Sequence, residues 1–353
     1  MSTLSSTNPG AVAPLSRHHL ISALLVALLV LSVGFSLVLG PMNLPSVDGM
    51  LAVADNLLGT QFSELRDYEK AIVLELRLPR LLLAMMVGAI LAQCGAVMQG
   101  LFRNPLADPG IVGVSSGAAV GAVIAIGLLP AALSGWSIPA FAFAGGLLTT
   151  LLVYGLARSP QGTSVLMLLL AGVAISAFAG ALIGFISYFA DDQKLRALSL
   201  WQMGSLAGAS SANLGLCFIT LLILVWAFQR QAGALNALLL GESEARHLGI
   251  NVESLKLKLI VLTAVGVGVC VASSGIIGFV GLVVPHLIRM SLGPNHTTLL
   301  PLSALCGALL LLVSDLIART IVQPAELPVG LITALLGAPF FLALLLQQRG
   351  KGL

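Results

Sequence analysis

The chain has 353 residues, of which 58% are hydrophobic and 9% are charged, and its mean hydropathy is +1.04. Soluble domains carry about a quarter charged residues, so this composition excludes a soluble protein and predicts a polytopic membrane protein. The net charge of +3 is too small and scattered to favour nucleic-acid binding. The cysteines lie in apolar runs without C-x-x-C spacing, which argues against a disulfide framework or a zinc site: Cys94, Cys217, Cys270 and Cys306.

The N-terminal region divides into a tail, an apolar run and a polar segment. Residues 1–19 are rich in Ser and Pro and predict a flexible tail. Residues 20–40 form an apolar run long enough to cross a bilayer and longer than a signal-peptide core, with no small-x-small cleavage site before Pro41. We therefore expect a retained first span. Residues 42–75 hold many charged side chains and should lie outside the membrane.

Nine further apolar segments follow, so the sequence predicts about ten transmembrane helices with both termini on one side. Glycines at close spacing within them, such as Gly88 and Gly95, predict tightly packed helices. The segment 276–292 is the weakest, because Gly281 and Pro285 interrupt it. The predicted spans are 76–101, 110–129, 137–157, 163–189, 213–230, 254–273, 276–292, 298–320 and 328–347.

An internal echo indicates two inverted repeats. The spacing of Gly88, Gly95 and Pro105 recurs in part as a Gly pair at 268 and 275 followed by Pro285. Five spans separate the two copies, and an odd number inverts the second half relative to the first, as in many transporters. Basic residues are more numerous in the loops on the side of the N-terminus, so both termini are expected in the cytoplasm.

A polar interruption at 235–250 stands out between the sixth and seventh spans. It reads as a short amphipathic helix with leucines on one side, a break at Gly241, and charged residues beyond it. On the pattern alone, this helix either lies on the lipid surface or docks a partner protein. The expected topology places it in the cytoplasm.

One catalytic motif occurs in the sequence, and it has a structural alternative. The chain lacks a G-x-x-x-x-G-K-[ST] phosphate loop, which excludes ATP hydrolysis by that route, and it lacks H-E-x-x-H. Residues 113–117 match G-x-S-x-G, so an intramembrane serine hydrolase using Ser115 with His286 as base is one hypothesis. The alternative is that Asp108 caps and Pro109 begins the third helix, with small residues packing after it.

Ionisable residues within the spans are few, which argues against an ion-coupled secondary carrier. Asp315 and Arg319 stand four residues apart near the outer end of the ninth span. They form either a structural ion pair or a site where Arg319 recognises an acidic partner.

Five motifs occur in one order along the chain: Leu-Arg-Leu-Pro-Arg at 76–80, Arg-Asn-Pro-Leu-Ala-Asp-Pro-Gly at 103–110, Leu-Leu-Gly-Glu at 239–242, Gly-Phe-Val-Gly-Leu-Val-Val-Pro-His at 278–286 and Glu-Leu-Pro-Val-Gly at 326–330. Together they resemble the vitamin B12, iron-siderophore and heme import permeases of bacterial ABC transporters, over about residues 20–347. The stretch 188–206 resembles the heme branch most. The resemblance implies a non-catalytic permease that moves heme, with ferric siderophores and cobalamin as alternative cargo.

The implied fold is all-α, with ten helices in two inverted five-helix repeats (BtuC-like), spanning 20–347 between cytoplasmic tails at 1–19 and 348–353. The implied assembly is a homodimer in the bacterial inner membrane. Two cytoplasmic ATP-binding subunits carry ATP and Mg, and a periplasmic substrate-binding protein delivers heme as the transported substrate. No cofactor is expected in the permease itself.

The resemblance also assigns roles to particular residues. It implies that 235–250 is the coupling helix that docks in a groove of the ATPase. It implies that Arg77 and Arg319, with Arg80 nearby, face outward and pair with acidic residues of the binding protein. The fifth helix would line the pathway. The coupling residues are Leu238, Leu239, Gly241, Glu242, Glu244 and Arg246, and the pathway residues are Ser176, Gly180, Gly184 and Ser187.

Overall fold

The structure is a computed structural model that describes residues 17–40, 42, 47–130, 133–160 and 162–349. Within these ranges the regular secondary structure is helical apart from one two-stranded hairpin, which pairs β1 (Arg158–Ser159) with β2 (Gly162–Thr163) in antiparallel register. The helices are α1 Arg17–Val38, α2 Asp48–Leu58, α3 Asp67–Ala71, α4 Leu78–Leu101, α5 Val114–Leu128, α6 Ser134–Ala157, α7 Val165–Tyr188, α8 Asp192–Gln202, α9 Ser211–Leu240, α10 Glu242–His247, α11 Val252–Ser274, α12 Val280–Leu292, α13 His296–Thr320 and α14 Val329–Arg349.

The prediction of an all-α membrane protein with about ten spans is confirmed. Among the described residues, seven helical segments are long and apolar enough to cross a bilayer, and the shorter apolar helices α5, α12 and α14 fill the remaining predicted spans. Helix α1 begins at Arg17, three residues before the predicted boundary, and α14 continues to Arg349. The rest of the two predicted tails, 1–16 and 350–353, lies outside the described residues.

The two halves repeat one order of elements, which confirms the inverted-repeat prediction. A long helix (α4 or α11) is followed by an irregular stretch, a short helix (α5 or α12), a long helix (α6 or α13) and a final helix (α7 or α14). Helix α4 packs against α13, and α11 packs against α6. The second span of each half (α4 or α11) therefore lies against the fourth span of the other half (α13 or α6), which is the exchange that a two-fold relation produces.

Glycines form the closest helix crossings. A Cβ atom on Gly88 would overlap the carbonyl group of Gly307 in α13, and one on Gly95 would overlap the carbonyl group of Gly281 in α12. Lipid tails give no hydrophobic drive for helix association, so backbones held together by van der Waals contact need small residues at the crossing. The sequence prediction of tight packing at Gly88 and Gly95 is confirmed.

The two short helices begin inside the bundle rather than at its edge. Helix α12 starts at Val280 after a non-helical stretch, four residues later than predicted, and Gly281 packs against Pro109 of the other half. Asp108 caps a 3-10 turn, Pro109–Val112, by accepting the Gly110 N–H at 2.7 Å. Pro109 therefore begins this turn and not α5, because Gly113 interposes a left-handed conformation (φ +85°).

The polar segment 42–75 is more structured than predicted. It contains α2, α3 and a π-helical turn, Ile72–Arg77, that leads directly into α4. After α2, Asp55 accepts hydrogen bonds from the Phe62 N–H (2.9 Å), the Thr60 hydroxyl (2.6 Å) and the Ser63 N–H (2.7 Å). These bonds, the Phe62 N–H first, hold the pKa of Asp55 below its ordinary value.

Candidate functional site at the two ends of the helix bundle

Predicted site residues lie at opposite ends of the bundle. Arg77 and Arg80 stand where α4 begins, and Arg319 stands where α13 ends; we call this the Arg77 end. At the other end of α4, Arg103 lies beside Gly241, which separates α9 from α10; we call this the Gly241 end.

One cavity of about 350 Å³ opens at the Arg77 end. Its walls include all three predicted docking arginines and two acidic residues, Glu75 and Glu326. The structure therefore brings together arginines that lie far apart in the sequence, since Arg77 and Arg319 belong to opposite halves of the chain.

Arg77 and Arg319 hold the end of α1. The Arg77 guanidinium donates to the carbonyl groups of Leu37 and Val38, each at 2.6 Å, and to that of Met42. Arg319 donates to the Ser36 carbonyl at 2.8 Å and to its hydroxyl. The last carbonyl groups of a helix have no partner within it, so these two cations complete α1.

Both arginine side chains are largely buried although they line the cavity. Arg77 is 5% exposed and Arg319 is 3% exposed, so neither side chain projects outward from the surface. A guanidinium in a dry environment needs hydrogen-bond acceptors, and the α1 carbonyl groups supply them. Whether the two residues also contact a binding protein stays a prediction.

Arg80 belongs to a second ion cluster. It forms a salt bridge at 2.9 Å with Asp315, which is fully buried, and another at 2.7 Å with Glu326. The predicted pair of Asp315 and Arg319 is present at 3.6 Å, so it is a structural ion pair. Two guanidinium groups hold the Asp315 carboxylate, which argues against the free mid-span carboxylate that an ion-coupled carrier requires.

At the Gly241 end, the amphipathic helix predicted over 235–250 is divided between two helices at the predicted Gly241 break. Helix α9 continues to Leu240, and Gly241 breaks it with a φ of +124°, a conformation that favours glycine. Only Glu242–His247 form the separate short helix α10. Leu238, predicted as a coupling contact, is buried as part of α9.

The outer surface of this end carries apolar and charged side chains together. Leu240 is 69% exposed and Leu248 is 64% exposed, and Leu239 and Glu244 are also exposed. Ala245 points the opposite side of α10 into the core. The exposed leucines lie on both sides of α10 in the chain, whereas the sequence pattern placed its leucines only before Gly241.

The remaining predicted coupling charges pair within the chain. Glu242 contacts Lys256 at 2.8 Å, and Arg246 contacts Glu242 at 3.6 Å and Glu253 at 4.0 Å. Lys256 is 2% exposed, although the sequence offered it only as one basic loop residue among several. Its position four residues into α11 carried no signal that it would meet α10.

The predicted pathway residues lie along α7. Ser176 donates to the Ser116 hydroxyl of α5 at 3.2 Å, and Ser187 is half-buried. Gly180 and Gly184 are exposed, and open space lies beside both. The exposed side of α7 also carries bulky apolar side chains such as Phe178 and Phe185, and α9 exposes Leu222 in the same way. The two glycines leave gaps between the bulky side chains of α7, and such gaps suit contact with another helix or an open passage.

The serine hydrolase hypothesis lacks its geometry. Ser116 donates to the Gly113 carbonyl at 3.1 Å, and within the described residues no hydrogen bond joins Ser115 or Ser116 to a histidine. His286 instead lies edge-on to Phe340, with 6.4 Å between ring centroids. A serine nucleophile needs a base within hydrogen-bond reach, so this arrangement does not support the hypothesis.

Comparison with known proteins gives a consistent result. The sequence matches the FecCD transport family over residues 26–347. The hemin transport system permease protein HmuU of Yersinia pestis is 52% identical over 287 residues, which cover 78% of this chain and 83% of the relative. The vitamin B12 import system permease protein BtuC of Vibrio cholerae is 47% identical over 288 residues, covering 82% and 86%. An inward-facing structure of a metal-chelate type ABC transporter has a TM-score of 0.81 at 35% identity, covering 93% of this chain and 99% of that chain.

Replacing Arg77 tests whether its main role is structural. We expect Arg77→Met to lower the free energy of unfolding by about 2–3 kcal/mol, because charge-assisted hydrogen bonds to the α1 carbonyl groups are lost. Thermal unfolding of the detergent-solubilised protein measures the change. Arg196→Met, at an exposed arginine of α8, is the control and should leave stability unchanged. An unaltered unfolding temperature in Arg77→Met would contradict the structural role.

Proposed function

The chain belongs to the FecCD transport family and is the permease of an ABC importer, and we propose that the cargo it carries is heme. An ABC importer implies ATPase and substrate-binding partners. We place ATP and Mg on the ATPase subunits, so the permease itself binds no cofactor and catalyses no reaction. Cargo would arrive from a periplasmic binding protein and leave into the cytoplasm by alternating access.

The choice of heme rests first on similarity. The hemin permease is 52% identical to this chain and the vitamin B12 permease 47% identical, so heme is favoured and cobalamin or a ferric siderophore is the alternative. The composition of α7 agrees. Val165–Tyr188 contains no charged residue, histidine or cysteine. The residues of α7 that could ligate iron, Met167 and Tyr188, stand near its two ends, so its middle offers no axial ligand that would hold heme iron and slow its release.

A reconstituted uptake assay tests the cargo. Purified permease with its ATPase is placed in proteoliposomes, and binding proteins loaded with hemin, cobalamin or a ferric siderophore are added in separate samples. We expect ATP-dependent accumulation of hemin alone. Uptake of cobalamin or the siderophore instead of hemin would identify that compound as the cargo. Uptake driven by an ion gradient without the ATPase would overturn the importer mechanism.

We assign the assembly and its orientation from the distribution of surfaces. The gaps beside Gly180 and Gly184 on the exposed side of α7 fit a second copy across a shared passage, so we take the functional unit to be a homodimer lined by α7. The Gly241 end faces the cytoplasm, where ATP is found, and the Arg77 end faces the periplasm. Both termini are then cytoplasmic, in the bacterial inner membrane.

Cross-linking tests the homodimer. Gly184→Cys is expected to cross-link between two copies in native membranes with a short bis-maleimide. Leu222→Cys on the exposed side of α9 is the matched control and should react only with lipid-soluble monofunctional reagents. Three native cysteines are buried, and Cys306 is replaced by Ser in both variants. Equal dimer yield from the two variants, or none from Gly184→Cys, would contradict the α7 interface.

The contact surface for the ATPase is the exposed part of the Gly241 end. Leu240 and Leu248 are large apolar side chains open to solvent at the end of the bundle, with exposed Glu244 between them in sequence. Exposed leucines beside a short helix fit a helix-in-groove contact. The lipid-surface alternative would need the same leucines to face the bilayer.

Substitution at Leu248 separates these alternatives. We expect Leu248→Asp to weaken ATPase binding at least about tenfold, because an apolar anchor at an interface centre contributes about 2 kcal/mol or more. Lys258→Ala, at an exposed residue of α11, is the control. Binding is measured by surface plasmon resonance on the solubilised permease. Unchanged affinity in Leu248→Asp would show that this surface does not dock the ATPase.

A further inference from the structure

A buried lysine joins three separate segments at the Gly241 end. Lys256 of α11 lies 2.8 Å from a Glu242 carboxylate oxygen in α10, and its ammonium donates to the Thr163 carbonyl at 2.9 Å. It also lies 3.5 Å from Glu253 in its own helix. An ammonium that is 2% exposed loses its hydration and must keep such partners, so the segments that supply them are held together.

Thr163 is fixed by a second set of bonds. Its N–H and its hydroxyl both donate to the same Glu253 oxygen, at 2.9 Å and 2.7 Å. Thr163 ends the β1–β2 hairpin, and the next residue, Ser164, is the N-cap of α7, whose hydroxyl accepts the Met167 N–H at 3.4 Å. A single residue therefore separates these charges from the start of α7.

The elements on either side of this cluster differ in how firmly they are held. Gly241 interrupts the helix between α9 and α10, so α10 is a separate short helix. The Glu242 carboxylate at its start reaches Lys256. Helix α7 buries few of its side chains against the rest of the chain, whereas α11 is mostly buried. Because α11 is firmly packed and α7 is not, a displacement of α10 should move α7 more readily than α11.

We propose that Glu242, Lys256, Glu253 and Thr163 form a joint that transfers the movement of α10 to the N-terminal end of α7, with Lys256 as the positioning residue. The joint rests on the proposed function, because α10 moves with the ATPase and α7 lines the passage. Lys256 contacts neither cargo nor nucleotide. It sets the position of α7 relative to α10.

The joint itself is tested without cargo or ATPase. Spin labels are attached at Ser243 in α10 and Leu166 in α7 of the full-length solubilised permease, both exposed positions. Pulsed electron resonance should give a narrow distance distribution in the otherwise unchanged chain and a broader one in Lys256→Met. Lys258→Met, two residues along the same helix and exposed, should keep the narrow distribution. An unchanged distribution in Lys256→Met would overturn the joint.

Its use in transport is tested in the reconstituted importer. Lys256→Met should keep ATPase affinity and ATP hydrolysis within about twofold, while hemin uptake per ATP falls about tenfold, since coupling between sites typically amounts to 5–150-fold. Lys256→Arg, which keeps a cation and its donors, should restore most of the coupling. Unchanged uptake per ATP in Lys256→Met would contradict the proposal.

Two further outcomes separate a failed joint from other failures. If Lys256→Met does not fold, Thr163→Val removes the hydroxyl bond to Glu253 at 2.7 Å, together with the longer one to Tyr154 at 3.4 Å, and should still lower uptake per ATP. Normal coupling in that variant would overturn the joint. If the unaltered complex transports none of the cargoes, the proposed function fails, and the spin-label distances still decide whether the joint exists.

Discussion

The bilayer provides no water for backbone N–H and C=O groups, so every break in a membrane helix must find its hydrogen bonds within the protein. In this chain polar side chains from distant helices supply them. Arg77 and Arg319 serve the open carbonyl groups at the end of α1, Gln99 donates to the carbonyl groups of Gly281 and Leu282 at 3.4 and 3.1 Å, and Lys256 serves Thr163. Each break is thereby also a fixed junction between helices. Three of these four junctions, all but that of Arg77, join the two halves of the chain.

The same constraint explains which features the sequence could predict. Span positions follow from hydropathy, and the inverted repeat follows from the spacing of Gly88 and Gly95, because both are local properties of the chain. Side-chain direction is not local. Arg77 meets a carbonyl 40 positions away and Arg319 meets one 283 positions away, so the charge pattern placed them at helix ends without showing that they turn inward. The break at Gly241 was predicted, but leucines spaced three and four apart did not show that residues 235–240 continue the sixth span as part of α9.

The arginines at the Arg77 end carry a consequence for partner recognition. Their guanidinium groups line an open cavity and at the same time hold α1 and Asp315. A carboxylate arriving from a binding protein would compete with backbone carbonyl groups and with Glu326 for the same donors. Its gain in Coulomb energy would be reduced by the cost of leaving those acceptors unpaired. Docking through these residues would therefore also loosen α1 or the Arg80 cluster, which links recognition at this end to the packing of the bundle.

At the Gly241 end, charge and contact have separate roles. Glu242, Arg246, Glu253 and Lys256 together carry no net charge, and their closest partners lie within the chain. Reversing Glu242 would place a second cation beside a buried Lys256, so its effect would arise inside the permease before any partner bound. The exposed leucines, in contrast, have no internal role that would be lost on substitution. An ATPase that binds through the leucines can therefore push on α10 while the charges behind it stay paired, and the force passes through those pairs toward α7.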